Sequence, residues 1–146
     1  MPTLELTTLI PRRTPAQVLD FCLDGVNFPK IFPERVTPLG HVDPHDLRIE
    51  AGRQFRFRHW MFNAVPANWT VVIREVSDCH FVDEMLKGPL RAFRHEHRVA
   101  AGEGGTLYSD RVTYSAIGGA LMERLVVNAY MRRIFEARHR NMLKLL

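Results

Sequence analysis

Residues 88–114 read GPLRAFRHEHRVAAGEGGTLYSDRVTY, two strand-like runs around a glycine-rich turn, and no other stretch constrains the fold as tightly. In Ala92–Ala100, Phe93, His95, His97 and Val99 alternate with Arg94, Glu96 and Arg98. In Thr106–Ser115, Thr106, Tyr108, Asp110, Val112 and Tyr114 alternate with Leu107, Ser109, Arg111, Thr113 and Ser115. A period of two marks half-buried antiparallel strands. The segment Gly102–Gly105 supplies the positive-φ residues that a tight connection needs. One face of this hairpin is Arg, Glu and Arg and belongs in water. The other is aromatic and aliphatic, yet it holds two histidines and an aspartate. Polar groups on an inward face must find partners or line a cavity. The hairpin therefore predicts a lined pocket rather than a solid core.

The rest of the chain supplies more strands and one long helix. Leu4–Ile10 reads as a first strand ended by Pro11. Thr14-Pro15 reads as an N-cap with proline at the first helical position, opening a helix through Val18, Leu19, Phe21 and Cys22 that stops at Gly25. Asn27–Phe32, fenced by Pro29 and Pro33, gives a second short helix or turn. A short strand is expected near Val36–Val42, and Leu47–Ala51 is a strand fragment or a loop. Phe55, Phe57, His59 and Met61 then alternate with Arg56, Arg58 and Trp60 until Pro66 breaks the run. Trp69–Val76 and His80–Leu86 are two further strands joined at Ser77-Asp78. After Gly118-Gly119, Leu121, Leu125, Asn128, Met131, Phe135, Arg138, Met142 and Leu145 mark one face of a helix. The predicted class is α+β, with a curved antiparallel sheet of six to seven strands wrapped around that helix. A sheet cannot close tightly on a helix along its whole length, so a cavity between them is expected.

A length of 146 residues fits one domain, 1–146, with a single core. No apolar run approaches the roughly 20 residues of a membrane span, and the N-terminus lacks the pattern of a signal peptide. Cys22 and Cys79 are too few for a disulfide framework and read as inert, reduced packing in a cytoplasmic protein. A net charge of +4 is modest and its basic residues are scattered, so a nucleic-acid partner is not expected. Arg124, Arg132, Arg133, Arg140 and Lys144 read first as a solvated helix face.

Several segments in this order resemble the START-like helix-grip superfamily (SRPBCC, the birch-pollen-allergen fold), in particular its polyketide cyclase/dehydrase-like ligand-binding branch. They are IPRRTPAQVLDFCLD at 10–24, NFPKIFP at 27–33, Phe81-x-Asp83 leading to Gly88-Pro89, His95-x-His97, and Gly104-Gly105-Thr106 through Asp110-x-Val112-x-Tyr114, with Ile134-Phe135 and Arg138 last. The resemblance spans nearly the whole chain and implies the helix-grip fold with a hydrophobic ligand cavity. It implies no particular activity, since members bind lipids, hormones, polyketides or quinones and only some are enzymes. Met85 and Ala137 depart from the pattern, where a small polar residue and a tyrosine are common.

Three functional readings follow. The first is a protein that binds or carries a small hydrophobic ligand of lipid, polyketide or other aromatic or isoprenoid type. Its expected contacts are His59, Trp69, Phe81, Phe93, His95, His97, Tyr108, Asp110, Met131, Phe135 and Arg138. The second is a cyclase/dehydratase-type enzyme in which His95 or His97, oriented by Asp110, acts as general acid and base. Against it, the same residues serve equally as a buried network that fixes strand register, and no nucleophile or electrophile clamp accompanies them. Arg138 either pairs with an internal carboxylate, the favoured reading, or holds a ligand anion. The third is an adaptor that meets RNA or protein through the basic helix face. No cofactor is expected, and no metal, because His59 falls on a strand away from the hairpin. A homodimer is compatible with all three.

Overall fold

The computed structural model describes residues 1–146. Seven strands form one antiparallel sheet: β1 (Thr3–Pro11), β2 (Val36–Pro38), β3 (Gln54–Met61), β4 (Val65–Val76), β5 (His80–Lys87), β6 (Ala92–Gly102) and β7 (Gly105–Ser115). They lie in the order β1-β7-β6-β5-β4-β3-β2, so only β1 crosses over, to pair with the last strand. Helices α1 (Pro15–Leu23) and α2 (Phe28–Ile31) follow β1, and the chain ends in α3 (Gly119–Met122) and α4 (Asn128–Leu145). This is the α+β helix-grip arrangement. No helix is long and apolar enough to cross a membrane.

The hairpin forms as its alternation dictates. In β6 and β7, Phe93 sits opposite Tyr114, His95 opposite Val112, His97 opposite Asp110 and Val99 opposite Tyr108. Gly104 takes φ +77 in the turn, and a Cβ on Gly105 would lie 2.1 Å from the Ile10 carbonyl oxygen, so glycine lets β1 close against β7 there. Thr14 caps α1 reciprocally with Gln17, and Pro15 opens the helix. The strand expected near 36–42 is confined to Val36–Pro38, and 47–51 follows a short 3-10 turn at Pro44–Leu47 with one bridge, Asp24 to Arg48. Pro66 belongs to β4 instead of ending a run, paired with Trp60. The β5 partner of β4 begins only at Thr70, so the missing N–H of Pro66 leaves no ladder bond unmade.

The final helix departs from the expected stripe at its start. Leu121 and Leu125 are each 66% exposed, whereas Met131, Ile134, Phe135, Arg138, His139 and Met142 are buried. A π turn at Glu123–Val127 joins α3 to α4. Met122 and Val126 are exposed there as well, at 42% and 47%, and so is Asn128, so this part of the helix buries no face, and a periodic stripe cannot register where packing against the sheet begins. Leu145 also lies outside that face.

Packing is uneven across the sheet. Ile10, Val18, Leu19, Ile31, Phe81, Val99, Tyr108 and Met142 form one apolar cluster, and Leu4, Val112, Tyr114, Met131, Ile134 and Phe135 form a second. The first joins β1, β7, Val99 of β6 and Phe81 of β5 to α1, α2 and the end of α4, and the second joins β1 and β7 to the middle of α4. Strands β2 to β4 stand away from the helix and leave a cavity of about 780 Å³ between them.

Candidate functional site

The cavity falls within the size range of small-molecule sites, roughly 300–1,000 Å³. Its walls come from β2–β6, α2, α4 and the loop through Leu39–Ile49, and 29 of its 44 lining residues are hydrophobic. Aromatic rings continue one another along the sheet wall. Phe57 stacks on Trp69 at 6.0 Å, Trp69 meets Phe93 edge-on at 5.2 Å, and Phe93 leads to His95 at 6.1 Å. His95 and His97 follow with ring centres 3.6 Å apart, and Phe81 stacks on His97 at 3.8 Å. Phe135 of α4 closes edge-on over His95 at 5.0 Å.

The polar groups collect at one place in this wall. Cross-strand pairing puts Asp83 of β5 opposite His95 and Phe81 opposite His97, so all four share the inward face. Proton positions follow from which groups can only donate. Arg138 Nη2 reaches His97 Nδ1 at 3.2 Å, and a guanidinium has no lone pair, so Nδ1 accepts. His97 therefore carries its proton on Nε2 and donates it to Asp83 Oδ2 at 2.7 Å. Arg138 Nη2 also donates to the Tyr108 hydroxyl at 3.1 Å, and that hydroxyl donates to Asp110 Oδ1 at 2.7 Å. His95 Nε2 donates to the same oxygen at 2.6 Å, and His139 Nε2 donates to Asp110 Oδ2 at 2.8 Å. Thr8 of β1 completes the chain, its hydroxyl oxygen 2.7 Å from His139 Nδ1.

Asp110 thus accepts three hydrogen bonds, and Arg138 Nε lies 3.5 Å from its Oδ2. That last contact is an ion pair by distance without hydrogen-bond alignment, since the Nε proton has no partner. Burial alone would raise the Asp110 carboxyl. His95, Arg138 and the His139 bond more than offset it and hold it well below the usual range. The same contest leaves Asp83 lowered, with His95, His97 and Arg138 outweighing burial. Burial, reinforced by His95, pushes His97 down to about 4, so its ring is neutral at pH 7. The Tyr108 hydroxyl is raised, first by burial.

The predicted residues divide into two layers. His59, Trp69, Phe81, Phe93, His95, His97, Met131, Phe135 and Arg138 line the cavity. Tyr108 and Asp110 are buried behind that wall and reach it only through His95, His97 and Arg138. Three members of the network, Asp83, His139 and Thr8, escape sequence reasoning. Asp83 enters there only as part of a motif, although its place on the inward face of a strand beside the hairpin is a usable signal. His139 follows Arg138 on a helix, and nothing local announces that both turn inward.

His59 belongs to a separate cluster at the other side of the cavity. Its Nε2 donates to buried Glu34 Oε1 at 2.7 Å, Tyr130 donates to the same oxygen, and the Phe62 amide donates to Glu34 Oε2 at 2.8 Å. Nothing in the sequence points to Glu34.

Asp83, His95 and His97 bring one oxygen and two ring nitrogens within 4.8 Å of one another, the composition of a metal site. Nitrogens held about 2.0–2.1 Å from one ion require rings that splay apart, whereas these two overlap at 3.6 Å. The trio fits hydrogen bonding better than an ion. The two cysteines, both read as inert, diverge. Burial pushes Cys22 up to about 12, while hydrogen bonds from His80 and Ser77 lower Cys79.

Sheet, helix and hollow together define a START-like helix-grip fold. No family model matches the sequence, and no curated protein does. Solved structures match over nearly the full chain at low identity. A START superfamily protein from Mycobacterium smegmatis is 11% identical over 99% of both chains, with a TM-score of 0.70. A protein from Thermus thermophilus is 16% identical over 98% of this chain and 95% of its own, with a TM-score of 0.72. The di-domain ARO/CYC StfQ from the steffimycin biosynthetic pathway is 13% identical, over 98% of this chain and 48% of its own, with a TM-score of 0.69.

Proposed function

We propose that this protein binds and carries a small hydrophobic molecule in the cavity between sheet and C-terminal helix. The ligand is of lipid, polyketide or other aromatic or isoprenoid type. The observation that carries this reading is the 780 Å³ hollow with its mainly apolar wall and one polar cluster. The test uses the neutral dye N-phenyl-1-naphthylamine. Wild-type protein should enhance its fluorescence with one-to-one saturation, and Val71→Trp, which projects an indole into the hollow, should abolish the effect. No enhancement by wild type would sink the reading.

A second reading, a cyclase/dehydratase with His97 or His95 as proton shuttle, draws support from the Asp83–His97 pair on the cavity wall and from the likeness to StfQ. Both ring nitrogens of His97 are already engaged, which counts against it as the shuttle, whereas His95 Nδ1 makes no hydrogen bond; the carrier is preferred on the mainly apolar lining of the hollow. Turnover of an aromatic polyketide-like compound by wild type, lost in His95→Ala or His97→Ala, would reverse that preference.

A further inference from the structure

We propose that Asp83 is the polar anchor of the cavity and that the ligand it selects is a flat aromatic molecule presenting a neutral hydroxyl. This rests on the carrier reading and specifies what is carried. The argument begins with an unused acceptor. Asp83 Oδ2 takes the His97 proton at 2.7 Å and faces His95 Nδ1 at 3.6 Å, but Oδ1 has no partner in the protein. The side chain keeps 16% of its exposure, and that exposure opens on the cavity it lines. On either side across the sheet stand Ile73 and His95, and neither is hydrogen-bonded to Oδ1.

A carboxylate oxygen unpaired in a mainly apolar hollow is costly unless a donor arrives with the ligand. Charge decides which donor. Asp83 and Asp110 are two carboxylates against the one guanidinium of Arg138, so an amine cation would match the charge, but it would have to shed its water in a hollow whose lining is mainly apolar. An anionic ligand would meet Asp83 with like charge. A neutral O–H satisfies Oδ1 without moving any charge into the cavity. The shape of the rest of the molecule follows from the wall. The run Phe57, Trp69, Phe93, His95, His97 and Phe81 is a succession of ring contacts ending beside Asp83, a surface suited to π-stacked or edge-on aromatic contact.

Calorimetric titration with 2-naphthol and 2-methoxynaphthalene near neutral pH separates the anchor from the hollow, because the second keeps the rings and replaces the hydroxyl donor by a methyl ether, and the Asp83 variants control for the added methyl. Wild type should bind 2-naphthol at least about tenfold more tightly, the effect of one charge-assisted hydrogen bond. Asp83→Ala should equalise the two by weakening 2-naphthol alone. Asp83→Asn, which keeps the shape and an acceptor for His97, should fold as wild type does and reduce the preference. Equal affinity of both probes for wild type, or a preference that survives Asp83→Ala, overturns the anchor while leaving the cavity reading standing. Binding of neither probe removes both.

Discussion

The two sides of this sheet solve opposite problems with the same helix. On the β1–β7 side, Ile10, Val18, Tyr108, Val112 and Met142 are at most 1% exposed and fill the space beneath α4. On the β2–β4 side, Phe57, Met61, Trp69 and Val71 face the same helix across open space. The first set is mainly branched aliphatic and interdigitates at interior density. The second is rich in large rings that pack on one another along the wall and leave the centre empty. The Asp83–Arg138–Asp110–His139 network stands on the seam. Stability and binding are therefore expected to separate by position, and the seam to affect both.

The sharpest way to break this contrast is Arg138→Ala. It leaves Asp110 and Asp83 without their buried cation and should cost about 3–5 kcal/mol in urea unfolding; a loss under about 1 kcal/mol would mean the seam is solvated. Met142→Ala should cost about 2–5 kcal/mol because the filled side cannot collapse around the void. Acid should act through His97. Its folded pKa of about 4 lies below the unfolded value near 6.5, so the unfolded chain binds more protons between the two. Stability is complete above pH 6.5 and falls as pH drops toward 4, by up to about 1.4 kcal/mol per unit. That slope should vanish in His97→Gln, measured as unfolding free energy against pH. Smallest is Met61→Ala on the hollow side, expected to cost under about 1 kcal/mol because its side chain already borders empty space. A cost equal to that of Met142→Ala would show the two sides to be packed alike.

What can be read from the residues follows the same geography. Alternation places His95, His97 and Asp110 on one face, and turn chemistry joins β6 to β7 correctly, because both signals are local. The order of elements is enough for the fold class. Glu34 meeting His59, and His139 meeting Asp110, depend on contacts 25 and 29 residues apart in the chain. No periodicity spans such distances. Arg138 is expected to prefer an internal carboxylate, and Asp110 supplies it. Leu121 and Leu125 are misplaced for a different reason, since an apolar period does not say where along a helix packing against the sheet begins.

The wide turn at Glu123–Val127 holds one residue more than an ordinary helical turn would use. A chain shortened by one residue within it could heal to regular pitch without disturbing how Met131 to Met142 sit on the sheet. The front of the rod and its buried rear can thus change length independently, and the stretch of wall that Val126 and Val127 supply can be reshaped while the part under Met131 and Phe135 stays fixed.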